Sequence, residues 1–175
     1  LERIVLPRVW DVAKSSSALF SGMPESHLPE FLIADFQDAF YTLEVAPEER
    51  KYIVVKGLPD QWGRTRYYLI SVVAFGLACG PLLWGRLAAA IMRLSQATVH
   101  EKEARSQCYV DDPILIAIAA SRRERTRIFC LYLLLWCACG FLVAWNKAQR
   151  GLQVDWIGFS VAFVGPFYRD FSVTL

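Results

Sequence analysis

A pair of adjacent aspartates, Asp111 and Asp112, separates the segment Cys108-Tyr109-Val110 from the apolar run at 113–118. Alternation before the acids and a continuous apolar run after them predict two strands joined by a tight turn, with the acids at its tip. Adjacent carboxylates repel each other, so a turn held between buried strands favours a nearby cation. Because Mg²⁺ is typically bound by one or two carboxylates and substrate phosphates, phosphoryl transfer is a candidate chemistry. A solvated hairpin turn would give the same local pattern.

A second predicted strand also ends in an acid. Phe31-Leu32-Ile33-Ala34 is an uninterrupted apolar run that stops at Asp35. Such a run is typical of a central strand that is buried on both faces. Two neighbouring strands that each end in an acid could hold a pair of metal ions about 3.5–4 Å apart. The sequence therefore predicts a metal site between Asp35 and the aspartate pair.

Five segments resemble the palm motifs of reverse transcriptases, in the order found in that family. Asp35-x-x-Asp38-Ala39-Phe40 is similar to the first motif, and Tyr109-Val110-Asp111-Asp112 is similar to the third. The segment at 75–87 begins Phe-Gly-Leu and continues to Pro, Trp and Arg-Leu, and it resembles the second motif of long-terminal-repeat retrotransposon enzymes. The segment at 140–147 resembles the fourth motif, and Trp156-Ile157-Gly158-Phe159 resembles the turn that grips the primer end.

The resemblance implies an RNA-directed DNA polymerase of a retroelement. Its substrates would be an RNA or DNA template–primer and deoxynucleoside triphosphates, and its cofactors two Mg²⁺ or Mn²⁺ ions. Asp35, Asp111 and Asp112 would be the metal ligands and catalytic acids. Lys147 would protonate the leaving pyrophosphate, although a surface salt bridge would also explain a lysine there.

The resemblance also assigns residues to substrate binding, namely Asp38, Ala39, Phe40, Phe75 and Gly76 for the nucleotide, and Trp156 and Gly158 for the primer end. Asp38 and Ala39 would face the triphosphate through their backbone. Phe40 would be the steric gate, an aromatic ring that collides with a ribose 2′-hydroxyl. Ordinary core packing is the alternative for Phe40.

The predicted fold class is α+β, a polymerase palm in which helices pack on one face of an antiparallel sheet, with part of the fingers. The predicted helices span about 8–20, 36–43, 81–104 and 123–139, and the predicted strands lie near 31–34, 52–55, 66–73, 106–110, 113–118, 142–145 and 152–156. We interpret 1–29 as a connector with partial fingers, 30–160 as the palm with part of the fingers, and 161–175 as a truncated continuation. We expect a fragment of a polyprotein that lacks fingers, thumb and RNase H segments and is inactive alone.

Composition and cysteine spacing limit the classes of protein to which the chain can belong. The chain has 175 residues, 55% of them hydrophobic, which suffices for one domain with its own core. The net charge of +2 is low for a protein that grips a nucleic-acid backbone by itself. Five cysteines without zinc-binding spacing predict reduced thiols, most of them buried. We therefore expect an intracellular protein, cytoplasmic or nuclear, that is not secreted.

Alternative classes remain open at this level. Segments 67–85 and 128–145 carry no charge and approach the length of a membrane-spanning helix, so a small multi-pass membrane protein is one alternative. Gly76, Gly80 and Pro81 interrupt the first segment, and for this reason we predict no membrane association. A non-catalytic, domesticated palm module is a second alternative. An RNA-dependent RNA polymerase is a third, against which Phe40 favours the reverse transcriptase.

Overall fold

The structure is a computed structural model that describes residues 5–175. In this range the helices are α1 (Val9–Phe20), α2 (Gly80–Ala97) and α3 (Arg122–Ala138). The strands are β1 (Leu28–Ile33), β2 (Val54–Lys56), β3 (Tyr67–Leu69), β4 (Ala104–Tyr109), β5 (Asp112–Ala119), β6 (Gln149–Gly151), β7 (Gln153–Trp156), β8 (Phe159–Val164) and β9 (Asp170–Thr174). Short 3₁₀ helices occur at Ala39–Thr42, Arg50–Tyr52, Trp145–Lys147 and Pro166–Tyr168.

The central sheet has the order β4-β5-β1-β6, and its neighbouring strands are antiparallel. A second sheet pairs β2 with β3, and a third has the order β7-β8-β9. The mixture of helices with antiparallel sheets confirms the predicted α+β class.

The two inner strands of the central sheet, β1 and β5, are buried on both faces, as their continuous apolar runs require. Leu115 and Ala117 of β5 belong to one hydrophobic core, together with residues of α2 and α3. Ile114, Ile116 and Ile118 alternate with them and belong to the other core. The apolar run that follows the aspartate pair therefore supplies both cores at once.

The second face of the sheet is covered by elements that the sequence had not placed there. Val12 of α1 and Val161 of β8 lie in the same core as Phe31 of β1. The rings of Phe31 and Phe163 are stacked with centroids 3.9 Å apart. Thus α2 and α3 cover one face, whereas α1 and the third sheet cover the opposite face, so the helices are not confined to one face as predicted.

An ionic cluster around the buried Glu30 ties three elements together. Glu30 of β1 accepts a hydrogen bond from Arg125 of α3 at 3.1 Å and two from Arg150 of β6 at 3.0 and 2.8 Å. Burial by itself raises the pKa of Glu30, but the hydrogen bonds and charges of Arg150 and Arg125 outweigh it and lower the pKa. The cluster therefore holds Glu30 ionised inside the protein.

Several local predictions are wrong. The helix expected at 36–43 is a 3₁₀ helix limited to Ala39–Thr42, and the strand expected at 66–73 is limited to Tyr67–Leu69. The expected strand near 142–145 is reduced to an isolated bridge between Phe36 and Val143, and the strand follows later as β6. The chain leaves α3 through Gly140, whose φ of +85° permits the left-handed turn, and then tightens into a 3₁₀ helix at Trp145–Lys147. The helix expected to reach residue 104 ends at Ala97, where the Thr98 hydroxyl donates to the Ser95 carbonyl at 2.7 Å.

The prediction that most cysteines are buried is also wrong. Four of them are exposed and Cys108 is half-buried. Cys130 and Cys137 do share a face of α3, but Phe129, Tyr132 and others form the buried face, and the cysteines lie away from it. The seven-residue spacing correctly predicted that the two cysteines share a face of the helix, but it could not predict whether that face is buried.

No helix within residues 5–175 is both long and apolar enough to span a bilayer. The uncharged segment 67–85 is divided among β3, a loop and the first turn and a half of α2. In the segment 128–145, α3 ends at Ala138. The membrane alternative is therefore not favoured.

Candidate active site

The aspartate pair lies on the turn between β4 and β5, which we define as the acidic turn (residues 109–112). Tyr109 and Asp112 are the last paired residues, so Val110 and Asp111 form a two-residue loop. Val110 has a φ of +54°, which is costly for a β-branched residue, on the order of 1–3 kcal/mol. Such conformations persist only where the surrounding structure holds them in place.

Strand pairing brings Asp35 beside the acidic turn. Beyond the end of β1 the backbone continues to bond its neighbour, with the Ala34 N–H donating to the Pro113 carbonyl at 3.2 Å. The Phe36 N–H donates to the Asp111 carbonyl at 2.9 Å. Asp35 stands between these two bonds, so the acids predicted from two distant segments meet at one edge of the sheet.

Lys147 reaches the same edge from the other side of β1. Its Nζ lies 2.7 Å from Oδ2 of Asp35, and the Ala144 N–H donates to the Asp35 carbonyl at 2.9 Å. The Asp35 side chain is only 15% exposed, whereas that of Lys147 is 61% exposed. The structure therefore brings together Asp35, Asp111, Asp112 and Lys147, and it includes the salt bridge that was the alternative explanation for the lysine.

The edge carries negative charge that the protein compensates only partly. Burial raises the pKa of Asp111 and of Asp112, and the charge of Asp35 raises both further, against the opposing effect of Lys147. The hydrogen bond and charge of Asp35 raise the pKa of Lys147. An edge of mutually repelling carboxylates has an electrostatic preference for an added cation.

The side chains meet the chemical requirement for a hard divalent ion but are not gathered around one. Across the part of the chain that the structure describes, no three carboxylate, histidine or cysteine groups are arranged to hold a single metal ion. One oxygen of Asp35 is taken by Lys147. Asp35, Asp111 and Asp112 nevertheless offer oxygen ligands only, which suits Mg²⁺ or Mn²⁺.

The backbone of the acidic turn accepts hydrogen bonds from two tryptophans, a role that the sequence did not indicate for either. Trp84 of α2 donates its indole N–H to the Val110 carbonyl at 2.8 Å. Trp156 of β7 donates its indole N–H to the Asp112 carbonyl at 3.0 Å. Trp84 lies within the second-motif segment, but nothing in the sequence indicated its partner.

The residues assigned to nucleotide binding form an aromatic group beside α2. Phe40 is half-buried, with its ring centroid 5.2 Å from that of Phe75 and 6.3 Å from that of Trp84. Phe75 is 71% exposed, and Gly76 has a φ of +93°. The predicted gate residue Phe40 and the predicted base-pair neighbour Phe75 are therefore in contact. The ring of Trp84 connects Phe40 to the acidic turn.

Two other predicted residues lie in unusual backbone conformations. Asp38 has a φ of +53° and precedes the 3₁₀ helix that begins with the buried Ala39. Gly158 has a φ of +83° in the tight turn between β7 and β8. Trp156 is only 2% exposed and points to the acidic turn. Roles of these residues toward a nucleotide or a primer stay predictions.

Comparison with known proteins agrees with the motifs. A family model described as reverse transcriptase (RNA-dependent DNA polymerase) matches residues 1–161. No curated protein matches the chain.

Proposed function

The chain belongs to the reverse transcriptase family, and from this premise we propose that Asp35, Asp111 and Asp112 form a two-metal site for RNA-directed DNA synthesis. The observation that supports it most is the bond from the Phe36 N–H to the Asp111 carbonyl, which sets Asp35 beside the acidic turn. The family implies binding of a nucleic-acid template–primer and deoxynucleoside triphosphates. The retroelement origin is part of the same proposal.

Each polar group at the edge has a defined task in this proposal. When bound, two Mg²⁺ or Mn²⁺ ions would supply positive charge to the attacking hydroxyl and to the transferred phosphate. Asp35 and Asp111 are the principal ligands, and Asp112 completes the site. Lys147 carries a proton at Nζ and donates it to the leaving pyrophosphate.

The aromatic group beside α2 would select the nucleotide. Phe40 closes the space next to the sugar, and Phe75 with Gly76 lies beside the nascent base pair. The backbone of Asp38 and Ala39 faces the triphosphate. Trp156 and Gly158 belong to the turn that holds the primer end.

Binding of Mn²⁺, followed by electron paramagnetic resonance, tests the metal site directly. Asp111→Asn should abolish high-affinity binding, because a neutral amide replaces one charged ligand. Asp155→Asn is the matched control, since Asp155 is an exposed aspartate on β7. Equal Mn²⁺ binding by the wild type and by Asn variants at all three acids would refute the site.

Single-nucleotide incorporation onto a primed RNA template tests the reaction. We expect incorporation to require Mg²⁺ or Mn²⁺ and to disappear in Asp111→Asn, with Asp155→Asn active. Loss of template–primer binding together with loss of incorporation would point to misfolding of the variant instead.

The salt bridge between Lys147 and Asp35 supports a second candidate function. A lysine that neutralises the first acid permanently would give a non-catalytic palm that binds template–primer only. Under this alternative the chain binds template–primer equally well with and without Mn²⁺ and incorporates no nucleotide.

A further inference from the structure

We propose that Trp84 and Trp156 form an indole clamp, a pair of positioning residues whose N–H groups hold the acidic turn so that Asp111 and Asp112 face Asp35. The two bonds end on the carbonyls of Val110 and Asp112, one on each side of Asp111, at 2.8 and 3.0 Å. The inference rests on the proposed function for its purpose, but the clamp itself can be tested without activity.

The two indoles approach the turn from opposite layers of the molecule. Trp84 is part of the core between the central sheet and helices α2 and α3, whereas Trp156 is part of the core under α1 and the third sheet. Both are almost fully buried, at 1% and 2% exposure. Donors set so deeply in two packed cores have little freedom, so they fix the carbonyls that they bind.

The acidic turn has physical reasons to move without these donors. Val110 holds a positive φ that is unfavourable for a β-branched residue. The carboxylates of Asp111 and Asp112 repel that of Asp35, which favours separation. The bond from Phe36 N–H restrains the Asp111 carbonyl, and the indoles restrain the carbonyls on either side.

Each indole also joins the acids to an element assigned to a substrate. Trp84 packs against Phe40, with ring centroids 6.3 Å apart, on the nucleotide side. Trp156 is the last residue of β7, directly before the Ile157-Gly158 turn on the primer side. The clamp therefore connects the acidic turn to the predicted nucleotide-binding residue Phe40 on one side and to the predicted primer-binding turn at Gly158 on the other.

A third tryptophan provides a matched control. Trp136 of α3 is 0% exposed and donates its indole N–H to the Ser95 hydroxyl at 2.8 Å. It belongs to the same core as Trp84 but its indole has no bond to the acidic turn. Tryptophan-to-phenylalanine changes at the three positions remove one buried N–H donor each, so they share their general cost in stability.

Hydrogen exchange of the backbone amides in the acidic turn is the primary measurement. In the full chain, Trp84→Phe and Trp156→Phe should each accelerate exchange at residues 110–112 by about tenfold, the effect of losing one buried hydrogen bond. Trp136→Phe should leave exchange there unchanged while lowering the melting temperature to a similar degree. Equal exchange in all three variants would overturn the clamp.

Binding of Mn²⁺ links the clamp to the site. Loss of an outer-shell partner typically weakens metal binding on the order of 10-fold or more, and we expect this for Trp84→Phe and Trp156→Phe but not for Trp136→Phe. Replacement of Trp84 or Trp156 by β-(3-benzothienyl)alanine keeps the ring shape and removes the N–H. It should reproduce the phenylalanine results if the donor matters, whereas wild-type behaviour would show that only ring packing matters.

The two proposals fail in distinguishable ways. If the Asn variants at Asp35, Asp111 and Asp112 all bind Mn²⁺ as the wild type does, the metal site is refuted while the exchange measurement still decides the clamp. If metal binding requires Asp111 but all three phenylalanine variants bind Mn²⁺ as the wild type does, the metal site stands and the clamp is refuted.

Discussion

Lys147 forms a salt bridge with Asp35 in the structure and is the proposed proton donor to the leaving pyrophosphate. Its ammonium lies 2.7 Å from the Asp35 carboxylate, in a position to compete with a divalent ion for that oxygen. Under the proposed function, a metal ion on Asp35 would release the ammonium, and the exposed side chain would then reach the leaving group. The proposal therefore requires two arrangements of Lys147, of which the structure contains the salt bridge.

Replacement of Lys147 by methionine should distinguish its competition with metal at Asp35 from its proposed role as a proton donor. We expect Lys147→Met to bind Mn²⁺ more tightly, because the competing ammonium is gone, and to incorporate nucleotide about 100-fold more slowly, the usual effect of losing a general acid. Mn²⁺ titration and single-turnover incorporation measure the two effects. Lys14→Met, which removes an exposed lysine of α1, should change neither.

Phe40 is the residue for which packing and selectivity compete most directly. It is half-buried and touches both Phe75 and Trp84. If the ring gates the sugar pocket, Phe40→Val should let ribonucleotides compete with deoxyribonucleotides in primer extension. Phe141→Val removes a ring from the same core and should lower stability without changing this selectivity. Unchanged selectivity in Phe40→Val would assign the ring to core packing.

At the scale of elements, the Glu30 cluster joins β1 to α3 and β6 on the strand that carries Asp35. Glu30 is 8% exposed and bonds two guanidinium groups, so its loss would leave buried positive charge without a counter-ion. Glu30→Gln should therefore lower the free energy of unfolding by about 3 kcal/mol. Urea unfolding at pH 7 measures this. Glu101→Gln, which breaks an exposed pair with Arg105, should cost at most about 1 kcal/mol.

The same cluster predicts a direction of pH dependence. Because the pKa of Glu30 is lowered on folding from its ordinary value of 4.5, its contribution is complete above that value and is lost as the pH falls through the lower folded pKa. Urea midpoints measured between pH 7 and pH 3 should fall more steeply for the wild type than for Glu30→Gln. Parallel curves would contradict this contribution.

At the scale of the whole molecule, the hairpin of β2 and β3 stands apart from both cores. Tyr67 and Leu69 are 67% and 66% exposed, and both lie on the face that also carries Val54. A two-stranded sheet with open edges and an apolar surface is prone to self-association.

Replacement of Tyr67 and Leu69 by threonine should reduce self-association through the hairpin. We expect the double variant Tyr67→Thr/Leu69→Thr to show less concentration-dependent self-association in sedimentation velocity, with an unchanged melting temperature, because neither side chain belongs to a core. Leu134→Thr, an exposed leucine on α3, is the control and should leave self-association unchanged. A fall in melting temperature of the double variant would show that the hairpin is packed more tightly than its exposure indicates.

Local sequence determined the elements that form the site. Strand β1 is predicted by the apolar run before Asp35, and β4, β5 and their turn are predicted by the alternating and apolar segments around Asp111. These predictions are possible because the pattern of a strand, alternating or continuously apolar, depends only on residues that are adjacent in the sequence. The resemblance assigned Lys147 and Asp35 to the same catalytic set, and the structure joins them in a salt bridge. The family match over residues 1–161 confirms the resemblance that those motifs carried.

Tertiary structure alone decided how those elements are held and covered. The positions of α1 and the third sheet over the second face, the exposure of the cysteines and the cluster around Glu30 all depend on contacts between distant segments. The indole of Trp84 meets a carbonyl 26 residues away, and that of Trp156 meets one 44 residues away. No local pattern encodes such partners, because a buried donor is satisfied by whichever acceptor the packed cores bring to it.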